Sequence, residues 1–312
     1  RYDLVVSEFF QKVSLLTIYS KKKMDLNVIM PILQNMGIYV LDQFTARIGS
    51  KKKRGIIGYI QTFRIRDNNG KKIKEEKYKK VVCELLEAVF DGKTEDDRLN
   101  KLALVAGFDW RLINVFLTYR NFFLQTNLTY TKFMVSDVFA KYPKIMKLLF
   151  KYFETKFSLD KSYGSVDHRR MVLLPRITRD FLESLTGIED VTEDVIFRKI
   201  FNIMESTLRT NFYIKKESCE DTFISIKLNS RNIKPMPLPV PYREIYVHDV
   251  GLEGVHLRFG AVARGGLRWS DRPYDFRSEI LGLVKTQQVK NVVIVPVGPN
   301  GGFIVKKKTD TT

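Results

Sequence analysis

The fold of the C-terminal region is decided by residues 255–306, VHLRFGAVARGGLRWSDRPYDFRSEILGLVKTQQVKNVVIVPVGPNGGFIVK. Residues 255–259 alternate between apolar and polar side chains, which predicts a strand. Residues 292–297 form a near-continuous apolar run, as is typical of a strand buried on both faces. Residues 296–302, PVGPNGG, are rich in glycine and proline and predict a loop.

A helix is predicted between these two strands. Ser270 or Asp271 can cap its first turn, and Pro273 suits that turn because its missing N–H is not needed there. Apolar residues at three- and four-residue spacing carry the helix to about Lys290. A strand, a helix and a glycine-rich loop are therefore expected to converge on one place.

That place offers Arg264, Gln287 and Lys290, together with the glycines Gly265 and Gly266. Glycines let a backbone approach a ligand closely, and residues three apart share one helical face. Two cations and an amide can hold a small dicarboxylate, since Arg binds carboxylates bidentately and Lys acts as a point charge. A phosphate site in the glycine turn is the alternative, but neither GxGxxG nor GxxxxGK[ST] is present.

The ordered set ARGGLRWSDR (263–272), LGLVKTQQVKN (281–291) and PVG..GGF (296–303) resembles the large bacterial class of NAD-specific glutamate dehydrogenases. The smaller glutamate dehydrogenases share a looser version of it. Weaker similarity to the helical region of the large class is carried by GFDW (107–110), YRN (119–121) and TLRTN (207–211).

The resemblance implies roles for these residues. Arg264 would contact a substrate carboxylate, and Lys290, with Gln287 nearby, would hold the α-amino-acid end. Gly265 and Gly266 would allow close approach. The implied reaction is the NAD-dependent oxidative deamination of L-glutamate to 2-oxoglutarate and ammonia in amino-acid catabolism, by a cytoplasmic homo-oligomer.

Asn300 stands where the family carries its catalytic lysine in PxGxxKGG. An asparagine side chain cannot titrate, so it cannot serve as the base. A shift of the alignment to Lys306 would disagree with the neighbouring Gly-Gly pair. No GxGxxG occurs in the chain either. We therefore expect a truncated, inactive fragment that lacks the NAD-binding domain.

Upstream residues predict an α+β, multidomain protein. We expect an ACT-like α+β module over 1–70, a helical domain over 71–212, and the first part of a glutamate-dehydrogenase-type substrate domain over 213–312. The predicted strands are 13–19, 38–48, 56–65, 222–228 and 243–247, and the predicted helices are 26–36, 78–90, 110–124, 131–150 (broken at Pro143) and 193–208. Alternate prolines in KPMPLPVPY (234–242) predict an extended connector.

Composition leaves other function classes open. The net charge is +18, from 53 Lys and Arg against 35 Asp and Glu, which is compatible with nucleic-acid binding. Because the lysine clusters fall at predicted loop tips without interleaved aromatics, solvated loops are the favoured interpretation, and we expect no nucleic-acid or membrane partner. Two cysteines and three histidines lie too far apart for a disulfide framework or a zinc site. The alternative function is a regulatory or oligomerisation fragment that binds an amino-acid effector or a partner subunit.

Overall fold

The computed structural model describes residues 2–6, 13–49, 55–73, 75–214, 223–261, 265–290 and 298–306, without the side chains of 2–6, 75–77 and 287–290. The strands are β1 (Tyr2–Val6), β2 (Ser14–Ser20), β3 (Ile38–Gly49), β4 (Ile56–Asp67), β5 (Thr207–Thr210), β6 (Ile224–Leu228), β7 (Arg243–His248), β8 (Leu252–Arg258), β9 (Leu267–Trp269) and β10 (Pro299–Val305). The helices are α1 (Leu26–Asn35), α2 (Glu75–Phe90), α3 (Leu102–Val105), α4 (Trp110–Thr126), α5 (Lys132–Lys141), α6 (Pro143–Phe157), α7 (Val166–His168), α8 (Leu174–Leu185), α9 (Val191–Ser206) and α10 (Phe276–Lys290). They form two compact units, residues 1–114 with 139–143, and residues 115–138 with 144–312.

The first unit contains a four-stranded antiparallel sheet in the order β1-β2-β4-β3. Alternate residues of β2 and β4, such as Leu16 and Phe63, are fully buried, as are Ile29 and Leu33 of α1. Gln61 is buried beside them and satisfies both polar groups of its amide on the backbone of Met24, at 2.8 and 2.9 Å. The predicted order of strand, helix, strand and strand is confirmed, with β1 added at its start.

The second unit combines helices with a six-stranded sheet in the order β5-β6-β7-β8-β10-β9. Every neighbouring pair is antiparallel except β10 and β9, which are parallel. Helix α10 packs on β10. Aromatic rings fill the helical core of this unit, where Phe153, Phe181 and Phe197 are fully buried.

Several predicted boundaries are wrong. The helix expected to reach residue 208 ends at Ser206, because Thr207 adopts an extended conformation and β5 pairs with β6. The loop expected over 296–302 is strand from Pro299 onward, because the Gly-Gly pair fits between two neighbouring strands. The strand predicted over 292–297 lies outside the described residues. Pro143 does separate two helices, α5 and α6, as predicted.

None of the helices within the described ranges has the length and apolar character that crossing a membrane requires.

Candidate functional site

The centre of the site is the junction of β8, β10 and β9. Gly301 pairs with His256 of β8 on one side and with Leu267 of β9 on the other. Its backbone N–H also donates a hydrogen bond to the Gly266 carbonyl oxygen at 3.0 Å. The two Gly-Gly pairs of the sequence, 36 positions apart in the chain, are thus brought side by side.

Three of these glycines are required by the protein's own packing. A Cβ on Gly265 would lie 1.9 Å from the Pro299 carbonyl oxygen, and one on Gly302 would lie 2.3 Å from Cδ1 of Ile280. A Cβ on Gly301 would lie 2.4 Å from Leu267. Such separations are far below van der Waals contact. At Gly265 the obstacle is backbone, so a larger residue would force the chain to move, whereas at Gly301 and Gly302 the nearest atoms belong to the side chains of Leu267 and Ile280.

Gly266 differs from the other three. A Cβ there would have no heavy atom of the described residues within 4 Å. Among the described residues, there is therefore room beside Gly266 for the close approach that the sequence suggests for both glycines, while the space beside Gly265 is occupied by Pro299.

The polar residues of the predicted site are described only in part. Arg264 lies outside the described residues. Gln287 and Lys290 lie in the last turn of α10, as predicted from their spacing, but their side chains are not described. Ile280, on the same helix, sits over Gly302. The structure thus brings together Gly265, Gly266 and β10, and it attaches α10 to the same strand.

Asn300 is a strand residue opposite Leu257 of β8, and only 8% of it is exposed. A side chain at this position is therefore largely removed from solvent. A lysine here would lose hydration, which lowers the pKa of an amine; the amide of Asn300 has no such titration.

Lys306 has a different environment from Asn300. Its Nζ lies 2.6 Å from Oε1 of Glu253 and donates to the Asp249 carbonyl oxygen at 3.0 Å. In an extended strand, four residues separate it from Gly302 by roughly 13 Å. Lys306 therefore lies far from the Gly-Gly pair.

Glu253 anchors this end of β8. Asn121 of α4 donates to its Oε1 at 2.7 Å, and Tyr246 donates to its Oε2. Burial acts to raise the pKa of Glu253, but the hydrogen bond from His248 and the charges of Lys306 and His248 outweigh it and hold the pKa well below its usual range. The carboxylate is therefore charged throughout the neutral range.

His256 was missed by the sequence analysis. It faces Gly301 across the strand pair, with Cδ2 3.2 Å from where a Cβ on Gly301 would lie. Its Nδ1 is buried and has no hydrogen-bond partner among the residues that the structure describes. Burial, followed by the charge of Arg258, lowers its pKa. In the sequence, the only feature that could have indicated His256 is its position in the alternating strand of residues 255–259.

The start of α10 was also misjudged. Ser270 Oγ accepts from the Arg272 N–H at 3.1 Å, as a cap would, but a turn intervenes and the helix begins at Phe276. Arg277 follows in the first helical turn and is fully buried against Glu244 of β7, with Nε 2.6 Å from Oε1. The sequence signal for this ion pair was an arginine among the apolar residues of the helix.

A dinucleotide does not fit the described residues. Nucleotide-binding α/β folds hold the pyrophosphate at a helix N-terminus that follows a parallel strand, at a switch point of the sheet. In the described ranges the only parallel pair is β10 with β9, and the buried side chains of Gln125 and Arg277 occupy the surroundings of the α10 N-terminus.

Comparison with known proteins places three ranges of the chain. Residues 180–312 match the model of the bacterial NAD-glutamate dehydrogenase catalytic domain, residues 94–159 match glutamate dehydrogenase helical motif 3, and residues 11–78 match the glutamate dehydrogenase ACT3 domain. Curated relatives include the NAD-specific glutamate dehydrogenases of Pseudomonas aeruginosa and Mycobacterium tuberculosis, each 35% identical, and that of Halomonas elongata, 30% identical. Each alignment covers 90% of this chain, and the chain spans 17% of the length of each relative.

Proposed function

Because the chain belongs to the bacterial NAD-glutamate dehydrogenase family, we propose that it carries the dicarboxylate-binding part of such an enzyme. The whole protein would oxidise L-glutamate to 2-oxoglutarate and ammonia with NAD as the hydride acceptor. The names of the relatives support glutamate and NAD, and the residues of the junction support the binding of a small dicarboxylate.

The observation that carries the proposal is the pairing of Gly266 with Gly301. It brings the segment that follows Arg264 in the chain to β10, on which α10 packs. Helix α10 carries Gln287 and Lys290 in its last turn. In this proposal Arg264 binds one carboxylate of the substrate, and Lys290 and Gln287 bind the α-amino-acid end, beside the open space at Gly266.

We propose that this chain binds its substrate without turnover. Deamination requires a group that accepts and returns protons near the amine, and a lysine with a lowered pKa suits that task. Asn300 holds this position and can only donate or accept hydrogen bonds. The described residues form no dinucleotide site, so no hydride step is assigned to them.

The decisive experiment is calorimetric titration of the chain with 2-oxoglutarate and L-glutamate, with NADH as a parallel titrant. We expect dicarboxylate binding that Arg264→Ala and Lys290→Ala each weaken about tenfold or more, since each removes a charged hydrogen bond. Lys285→Ala is the matched control, because Lys285 lies on the same helix and is exposed. Equal binding by all three variants would sink the proposal.

A regulatory role for the first unit is the second candidate. The match of residues 11–78 to the ACT3 domain supports an ACT-like module, as do the three antiparallel strands and helix α1 within that range. Such a module would bind an amino-acid effector or a partner subunit. Effector binding that survives Lys290→Ala would separate this function from substrate binding.

We also propose that the chain divides into regions 1–70, 71–212 and 213–312. The whole enzyme would be a cytoplasmic homo-oligomer without nucleic-acid or membrane partners. The three matched ranges support the division, since each falls mainly within one region.

A further inference from the structure

The N-terminal end of α10 is held by a fully buried ion pair. Arg277 donates from Nε to Oε1 of Glu244 at 2.6 Å and from Nη2 to Oε2 at 2.8 Å. Both side chains are 0% exposed. Ser230 also approaches Glu244 Oε2, at 3.3 Å. The bidentate geometry fixes the direction as well as the distance of the guanidinium, and so fixes the rotation of the helix that carries it.

A second clamp comes from α4. Gln125 donates from Nε2 to the carbonyl oxygens of Pro273 and Tyr274, at 2.9 and 3.3 Å. Its Oε1 accepts the backbone N–H of Arg277 at 3.2 Å. One buried side chain therefore holds both the turn before α10 and the first turn itself, which fixes where the helix begins along its axis.

Beyond the first turn, the described side chains of α10 are buried on one face only. Ile280 and Val284 are buried, but Gly282, Lys285 and Thr286 are exposed. Thirteen residues of helix separate Arg277 from Lys290, a rise of roughly 20 Å. Over that length a small tilt of the helix axis at the first turn becomes a displacement of the last turn, where Gln287 and Lys290 lie.

We propose that Gln125, Glu244 and Arg277 are positioning residues for the dicarboxylate site. They set the rotation and the axial position of α10, and thereby the placement of Gln287 and Lys290. The inference rests on the proposed function, because it assigns a role to the anchor only if these two residues bind the ligand. Buried ion pairs are poor sources of net stability, whereas they do select one geometry of their neighbours in several proteins.

The test uses calorimetric titration of the chain with 2-oxoglutarate, well below the melting temperature of each variant. Arg277→Lys keeps the charge but loses the two parallel hydrogen bonds. Gln125→Ala removes the clamp on the helix start and is the milder change, so it decides the question should Arg277→Lys fail to fold. Thr126→Ala is the control, because the Thr126 hydroxyl donates only within α4. We expect the anchor variants to bind roughly tenfold more weakly and the control to bind like the wild type.

A double-mutant cycle with Lys290→Ala distinguishes positioning from general destabilisation. If the anchor acts through Lys290, the loss caused by Lys290→Ala shrinks in the Gln125→Ala background, because the lysine is already misplaced. Unchanged affinity in folded anchor variants, or losses that simply add, would overturn the positioning role and leave the proposed function standing. Absence of binding by the wild type would instead overturn the proposed function, and this inference with it.

Discussion

At the scale of single residues, two neighbouring glycines have different tasks. Gly265 is in contact with the Pro299 carbonyl, where any side chain would collide, whereas a Cβ on Gly266 would meet no atom of the described residues. Glycine is therefore needed for packing against β10 at position 265, and the described contacts do not require it at position 266.

This difference gives a matched pair of substitutions. Gly265→Ala forces a Cβ to within 1.9 Å of backbone oxygen, so the backbone must move. We expect a loss of about 1–3 kcal/mol in the free energy of unfolding. Gly266→Ala should change the stability by less than about 0.5 kcal/mol. Urea denaturation measures both, and equal losses would contradict the contacts described for Gly265.

A second residue-scale prediction concerns Glu253 and pH. Because its pKa in the folded chain is held below the usual value, its charged form stabilises the fold above the unfolded pKa of about 4.3 and the stabilisation is lost as the pH falls below it. Glu253→Gln leaves Lys306 without its carboxylate partner, so we expect roughly 3 kcal/mol lower stability at neutral pH.

Denaturation curves from about pH 7 to pH 3 check this dependence. The difference in the free energy of unfolding between wild type and Glu253→Gln should become smaller as the pH falls below about 4.3. Glu183→Gln serves as the control, because the Glu183 side chain is 72% exposed and should show no such gap. A gap that stays constant down to acid pH would contradict the charged state of Glu253.

At the scale of elements, the end of α9 shows how side chains terminate a helix. Thr207 Oγ1 donates to the Ile203 carbonyl oxygen at 2.9 Å, and Tyr119 donates to Thr207 at 3.0 Å. Nζ of Lys156 in α6 donates hydrogen bonds to the next two carbonyl oxygens, those of Met204 and Glu205, at 3.1 and 2.7 Å. With these acceptors satisfied, the chain can leave the helix and pair as β5.

The environment of Lys156 predicts how the stability of the fold depends on pH in the alkaline range. Burial is the main cause that lowers its pKa to about 8, with Glu205 opposing the shift and Arg170 adding to it. The unfolded chain then holds more protons between about pH 8 and about pH 10.4, so this residue makes the fold more stable as the pH rises through that window.

Comparison of wild type with Lys156→Met isolates the effect. The stability of the wild type relative to the variant should increase with a slope of up to about 1.4 kcal/mol per pH unit in the window. The exposed Lys151→Met is the control, because it should show no such slope. A flat difference would show that Lys156 titrates like an ordinary lysine.

At the scale of the whole molecule, the net charge of +18 is the dominant long-range feature. Such a charge attracts any polyanion without specific recognition, and salt screens the attraction. We expect labelled DNA of random sequence to bind at about 50 mM salt and to be released by about 200 mM, independently of sequence.

Fluorescence anisotropy with two unrelated DNA sequences measures the binding and its dependence on salt. Replacement of Lys21, Lys22 and Lys23 by glutamine should weaken the low-salt binding and leave 2-oxoglutarate binding unchanged. Sequence-selective binding that persists at about 200 mM salt would instead favour a nucleic-acid function over the solvated-loop interpretation.

The sequence by itself determined the elements whose signals are local. Apolar spacing predicted α1, α4 and α10 to within a few residues except at the start of α10, because burial of one helical face leaves a periodic trace. The motif of residues 263–303 indicated the family and, with it, the candidate residues Arg264, Gln287 and Lys290.

Only the tertiary structure decided what depends on partners distant in the chain. It placed residues 299–302 in a strand, because β8 and β9 supply hydrogen bonds that no local window contains. It separated Gly265 from Gly266 by their surroundings, and it joined Gln125, Glu244 and Arg277, which lie up to 152 positions apart. Such contacts are set by packing in three dimensions, and single-chain periodicity carries no record of them.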